Sequence, residues 1–480
     1  MIPATRPAPT PTRALDTRAH RSERAPSRRR LVRAVAAARS DREADESPKL
    51  DRPCASSRRD VLVRGFTSAL ILPRSRAALA DDLFCGYYSQ NSAVVPQWAR
   101  ETPWSEGYVD TSAAVGLEGA KTFVRILGDQ KKAESAGLTP VLCLHGGPGL
   151  GFKYMDGLEV LASEKREVAS YDQIGCARSP YAPTPDPSKT KKNQNQNQNQ
   201  TAAAALSPPP GTYTPALFAR ELTEVRRATG LGRVHVVAHG WGGMLALDHI
   251  LGGNGVDGGA AGRGSSMPSI ASLTLVSVPP SYARLIADRR EALARMPGEY
   301  AQVLLDGDEG GAGGGNLSDA GRKLYAIALD EWTRLFVSKR AAGACYRGLK
   351  TAGAGGGFGA RANDPPDAVG VVSARAVARD MTGGCLFNEA GALSGWDADD
   401  GGRLAMLAAA VPGGVRFVRG TDDALSDEGA REVYDAVARV EMKPTNVTFE
   451  SFPDSGSCVH LDKSADFLES TAAYVAARDA

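Results

Sequence analysis

Six short apolar runs, each four to six residues long, alternate with stretches of helical periodicity from about Glu106 onward. They are Val141–His145, Val168–Tyr171, Val234–Ala238, Leu273–Val276, Val415–Arg419 and Val447–Phe452. Runs this short, rich in β-branched residues and bounded by turn residues, suit strands buried on both faces. Between them, Leu217, Phe218, Leu222 and Val225 fall at helical spacing, as do the residues after Trp241, those from Gly429 to Val440, and the stretch from Ala465. Helices placed between buried strands supply the crossovers that a parallel sheet requires. The expected class is therefore α/β, with a mostly parallel, doubly wound sheet.

Low-complexity stretches interrupt this order at Lys189–Gly211, with its Asn-Gln repeat and Pro208–Pro210, at Gly252–Ser266, at Gly310–Gly315 and at Gly353–Gly359. Such runs bury too little apolar area to offset their ordering entropy and are expected to be solvated loops. The block from Ser281 to Asp397 stands between two strands and reads as mostly helical, with Trp332, Leu335 and Phe336 on one face. The expected division is a leader at 1–80, a first core segment at 81–280 with loops at 187–211 and 252–266, an insertion at 281–397, and a second core segment at 398–480.

The formal charge of +2 hides an asymmetry: residues 1–80 hold 18 Lys/Arg and 8 Asp/Glu, a balance of +10, so the remainder carries −8. That remainder gives no reason to expect nucleic-acid binding. The leader, with Arg28, Arg29, Arg30, Arg33 and Arg39 among Ala, Ser and Pro, resembles a plastid transit peptide. Arg58-Arg59, the apolar stretch Val61–Leu72 and Ala78-Leu79-Ala80 before Asp81 resemble a following thylakoid-lumen signal, which implies a chloroplast destination. Arg64 and the acidic Asp41, Glu43, Asp45 and Glu46 are unusual in such peptides and leave a disordered basic tail as the alternative. No segment reaches the roughly 18 apolar residues that a transmembrane helix needs. Seven cysteines without a CxxC pair signal neither a metal site nor a disulfide framework, and no cofactor is expected.

Three motifs carry the chemistry. His145-Gly146-Gly147-Pro148-Gly149 follows a strand directly, where bare backbone can approach a substrate and aim N–H groups at an oxyanion. Tyr171-Asp172-Gln173-Ile174-Gly175-Cys176-Ala177-Arg178-Ser179 follows the next strand, and Ala238-His239-Gly240-Trp241-Gly242-Gly243 joins a strand to a helix. In order and spacing these resemble the HGGPG loop, YDQxGxGxS segment and GxSWGG nucleophile elbow of the proline iminopeptidase family. The resemblance extends from about Gly107 to the carboxy terminus. It implies an α/β-hydrolase fold with residues 281–397 as a cap, hydrolytic release of N-terminal proline from peptides, and a small peptide or small-molecule ligand under the cap.

Carried over residue by residue, the resemblance assigns the oxyanion loop to Gly146, Gly147 and Trp241. Asp423 stands at the triad acid, in Gly420-Thr421-Asp422-Asp423, with Asp422 the weaker candidate. Ala238 replaces the elbow's first glycine and Gly240 its serine, so the position lacks any oxygen to attack a carbonyl. Gly456 and Asp462 match the residues flanking the family's catalytic histidine, which places Ser457 there and His460 three positions later. The glutamate that anchors the substrate's amino group is replaced by Leu386, with Glu389 or Glu331 as candidates to substitute.

Two functions follow as expectations. One is a catalytically impaired member acting as a ligand- or partner-binding protein. The other is an active aminopeptidase, esterase or amidase that borrows water or Cys458, with His460 as the rescuing base, because residues 458 and 460 would share a face if extended. The remaining histidines receive structural roles: His145 fixes its loop, His235 lies on a strand, His249 ends a helix, and His239 is expected to project away from Gly240.

Overall fold

The computed structural model describes residues 102–183, 207–252, 270–309, 317–339, 369–440 and 446–479. The leader at 1–80, and the low-complexity stretches apart from residues 207–211 and Gly252, lie outside them.

Eight strands form one sheet: β1 (Trp104–Asp110), β2 (Lys121–Leu127), β3 (Val141–Leu144), β4 (Val168–Tyr171), β5 (Val234–His239), β6 (Ile270–Val276), β7 (Val415–Gly420) and β8 (Val447–Phe452). Their order is β1-β2-β4-β3-β5-β6-β7-β8. The pairs β1/β2 and β2/β4 are antiparallel, and every other neighbour is parallel. This is the α/β-hydrolase fold. All residues of β3, β4, β5, β6 and β7 are buried, as strands covered by helices on both faces must be. The six expected strands are present with ends shifted by a few residues, the largest shift being the start of β6 at Ile270. The pair β1/β2 was not expected: β1 is a largely half-exposed edge strand, so its sequence, Trp-Ser-Glu-Gly-Tyr-Val-Asp, shows no apolar run.

Helices α1 (Pro215–Thr229) and α2 (Trp241–Leu251) flank the centre of the sheet. Helix α1 starts where Thr214 accepts the Leu217 N–H and Pro215 needs no donor, and ends at Gly230 in the left-handed region. Helix α2 is buried along its whole length. The insertion contributes α3 (Tyr282–Ala292), α4 (Gly298–Glu309), α5 (Asp319–Trp332) and α6 (Val369–Thr382). Its two ends meet: Ser281 and Asp397 form an isolated antiparallel bridge, with Tyr282 N–H to Trp396 O at 2.9 Å and Ala398 N–H to Pro280 O at 2.7 Å. Helices α7 (Asp427–Val440) and α8 (Ser464–Ala476) complete the core. A separate apolar cluster, including Leu304, Trp332, Phe336 and Phe387, holds the inserted helices together. No helix among the described residues is long and apolar enough to cross a membrane.

Candidate active site

The three motifs converge at the carboxyl ends of β3, β4 and β5. Gln173 ties them: its backbone N–H donates to His145 Nε2 at 3.0 Å, its side-chain amide donates to His145 O at 3.0 Å, and its Oε1 accepts the Trp241 indole N–H at 2.8 Å. Because His145 Nε2 accepts, its proton sits on Nδ1 and is given to Gly146 O at 2.8 Å. Burial holds the His145 ring below the ordinary histidine pKa and keeps it neutral for this task. Asp172 fixes the following turn by accepting Phe152 N–H at 2.8 Å and Arg178 Nε at 2.8 Å.

At the strand-to-helix turn, Gly240 caps α2 with φ 51° and ψ −119°, so the sharp turn is kept. Its two glycine neighbours are packed and it is not. A Cβ at Gly242 would lie 2.4 Å from Leu144 O and one at Gly243 2.1 Å from Val278 Cγ2, whereas one at Gly240 meets nothing within 4 Å. Position 240 thus opens into a cavity of about 150 Å³ whose walls include Gly240, Trp241, Asp423 and Ser457.

Gly147 and Trp241 line this cavity, and the first-turn N–H of Trp241 has no acceptor within its own helix. Gly146 is a correction to the expected oxyanion set. Its N–H is donated to the Tyr154 hydroxyl at 2.6 Å, and a backbone amide has a single hydrogen to give. Asp423 is buried against the cavity; its Oδ1 accepts Leu425 N–H at 3.0 Å while Oδ2 has no hydrogen-bond partner, and burial raises its pKa. Asp422 instead pairs with Lys339 Nζ at 3.1 Å and is not part of the cavity wall.

Ser457 lines the cavity in the loop after β8, held by flanking residues that have no choice of position. A Cβ at Gly456 would lie 2.6 Å from the Val337 backbone, and Asp462 accepts Gly456 N–H at 2.9 Å, Lys339 N–H at 3.1 Å and the Ser338 hydroxyl at 2.6 Å. The Ser457 carbonyl accepts from His239 Nε2 at 3.1 Å and from the Ser277 hydroxyl at 3.0 Å.

His239 does not project away from the site; among the described residues it is the one histidine in the cavity wall. Its protonation is fixed by its partners. A carbonyl only accepts, so Nε2 carries the proton given to Ser457 O, and the lone pair on Nδ1 receives the Tyr154 hydroxyl at 2.8 Å. Burial lowers its pKa to about 4, so the ring is neutral at ordinary pH, with no free lone pair to take a proton from a ligand. No signal in the sequence marks this role, because Tyr154 lies 85 residues away.

His460 is buried between Tyr154, His239 and Phe467, with ring centroids 5.3, 5.2 and 6.2 Å away, and forms no part of the cavity wall. Its pKa is pushed far down by burial and by His239. Cys458 and His460 do not share a strand face, because Val459–Asp462 is a helical turn that separates them. The Cys458 thiol reaches the cavity and lies 3.9 Å from His239 Nε2, the nitrogen already carrying a proton. Burial raises its pKa well above that of an ordinary thiol, which keeps it protonated and weakly nucleophilic.

Leu386 lines the cavity at the expected amine-anchor position. Neither candidate substitute reaches it: Glu331 pairs with Arg334 at 2.5 Å, and the exposed Glu389 accepts Gly395 N–H at 2.8 Å. Instead, Arg289 of α3 enters the wall, donating to Leu386 O at 3.2 Å. Among the described residues no three His, Cys, Asp or Glu side chains gather as a metal site would require.

Residues 139–248 match the family model described as alpha/beta hydrolase fold. The chain is similar to a proline iminopeptidase of Heyndrickxia coagulans, 31% identical over 239 residues, which are 49% of this chain and 62% of the relative. A proline iminopeptidase of Clostridioides difficile is 29% identical over 147 residues, or 31% of this chain and 38% of that protein. The chain therefore spans well under half the length of this second relative. The crystal structure of a Mycobacterium smegmatis proline iminopeptidase superposes with a TM-score of 0.50 at 22% identity, covering 78% of this chain and 99% of that one, and so shares its fold.

Proposed function

We propose that the chain is a member of the proline iminopeptidase family of α/β-hydrolases that keeps the capped cavity as a binding site and has lost the family's hydrolytic chemistry. The observation that carries this reading is Gly240. The turn that would present a nucleophile retains its geometry and faces open space, yet bears no oxygen. The surrounding groups offer no replacement, since His239 has both ring nitrogens engaged and the Cys458 thiol is held protonated. Losing the serine or histidine of such a triad lowers turnover on the order of a million-fold, leaving about 10³–10⁴ over water from binding and oxyanion stabilisation. The ligand class is a small molecule or short peptide seated under the inserted helices.

The test is to assay the purified protein on proline arylamides and small esters, beside the double variant Gly240→Ser with Ser457→His. Background rates are expected from the unmodified protein. Turnover typical of the family in that protein would overturn the reading.

A further inference from the structure

We infer that the cavity selects a ligand carrying a carboxylate, held by Arg289, in place of the free ammonium that the family resemblance leads one to expect. The inference deepens the binding reading above and rests on the same cavity. Two features point the same way. Leu386 removes the negative charge, and its own backbone carbonyl holds a guanidinium in the cavity wall at 3.2 Å.

That guanidinium is poorly satisfied. Arginine has five N–H donors, and the Leu386 carbonyl is the hydrogen-bond partner of one. Among the described residues Arg289 forms no ion pair. Two carboxylates, Asp423 and Asp308, favour its charge only through space. Asp308 lies outside the cavity wall and is committed to Leu386 N–H at 2.5 Å, Phe387 N–H at 2.8 Å and the Asn388 amide at 2.9 Å. Arg289 is half-buried at the cavity wall, and a partly desolvated guanidinium without a paired anion carries a cost, with burial pulling its pKa down. A carboxylate from a ligand would relieve that cost in the bidentate geometry that arginine favours. An ammonium in the same place would meet a like charge.

The remaining wall fixes the rest of the ligand. Leu150, Met244, Trp332, Phe336 and Leu386 present apolar surface, which suits a hydrocarbon or aromatic body. Among the described residues Asp423 is the sole carboxylate in the wall, and its unpartnered Oδ2 can accept a ligand N–H or O–H. The ligand class is thus an apolar monocarboxylic acid, with room for one hydrogen-bond donor near Asp423.

The experiment uses three probes of nearly equal shape: phenylacetate, 2-phenylethylamine and 2-phenylethanol. Binding to the full chain is measured by calorimetry and by the shift in unfolding temperature, at constant ionic strength. Phenylacetate is expected to bind most tightly. Arg289→Met, which keeps the apolar stem, is expected to weaken phenylacetate about tenfold or more and to leave 2-phenylethanol nearly unchanged. Arg289→Lys is expected to recover part of the loss. Equal or tighter binding of the amine or alcohol, unchanged phenylacetate affinity in Arg289→Met, or no binding of phenylacetate at millimolar concentration would overturn the inference. The order of the three probes on the unmodified protein decides the matter even if Arg289→Met fails to fold. Turnover in the arylamide assay would sink the non-hydrolytic reading and leave this charge preference standing.

Discussion

A serine introduced at position 240 enters open space, so its cost is confined to the backbone. With φ 51° and ψ −119°, the residue occupies a region that side chains rarely adopt, and strain of that kind amounts to about 1–3 kcal/mol. The neighbouring glycines differ. At Gly242 a new Cβ meets Leu144 O at 2.4 Å and His145 O at 2.6 Å, backbone atoms that cannot retreat without disturbing the β3/β5 ladder. At Gly243 it meets Val278 Cγ2 at 2.1 Å and Leu275 Cδ2 at 3.3 Å, side-chain atoms with some freedom to shift. Overpacking of that second kind costs about 1–3 kcal/mol, offset by about 1 kcal/mol because alanine favours a helix over glycine. The expected order of destabilisation places Gly242→Ala first, above about 3 kcal/mol, then Gly240→Ser at about 1–3 kcal/mol, and Gly243→Ala last at about 0–2 kcal/mol. Urea-unfolding midpoints followed by circular dichroism measure all three. If Gly240→Ser proved as damaging as Gly242→Ala, the reasoning that position 240 faces a cavity would be refuted.

Further outcomes follow from the same geometry. His239 has a folded pKa of about 4 against 6.5, so between those values the unfolded chain binds a proton that the native ring refuses. Its contribution is intact above pH 6.5 and falls by up to about 3 kcal/mol as pH drops toward 4, so His239→Gln should flatten the stability profile there, and an unchanged slope would contradict it. Cys143, Cys176, Cys385 and Cys458 are all buried, and burial raises each thiol's pKa; native protein treated with iodoacetamide should leave them unmodified by intact mass until denaturant is added. Asp462→Ala strips three donors of their acceptor and should cost about 3 kcal/mol or more in the same urea assay; a loss under about 1 kcal/mol would show that the loop is not pinned this way. Residues 1–80 fused to a fluorescent protein are expected to direct it to chloroplasts, and a diffuse cytosolic signal would count against a targeting leader.

The buried strands were legible because each is an unbroken apolar run, and the site loops because their glycines answer to packing. Gly456 and Asp462 could be matched across the family resemblance since one is pressed against Val337 and the other gathers three donors. That match put Ser457, and not His460, at the cavity. What escaped was set by contacts remote in sequence. Strand β1 is an edge with mixed polarity, and its partner β2 is recognisable only once the antiparallel pairing is seen. His239 looked dismissible because nothing near it in sequence reveals that Tyr154 and Ser457 hold its ring in the wall. Arg289 was invisible for a similar reason. Helical periodicity separates the faces of α3, but only the docking of the insertion on the core decides which face meets the cavity.

The bridge between Ser281 and Asp397 makes the roof of the site separable from its floor. Paired residues of this kind stand about 4.5–5.5 Å apart, a gap that a short turn spans. The whole excursion from 281 to 397 therefore leaves and rejoins the sheet through a single doorway, and its length places no demand on strand order. A lineage can rebuild the ceiling of the chamber, trading a carboxylate for Leu386, while the masonry of β3, β5 and α2 stays where it was. A change in the floor and a change in the ceiling are then alterations to different storeys, and neither requires the other.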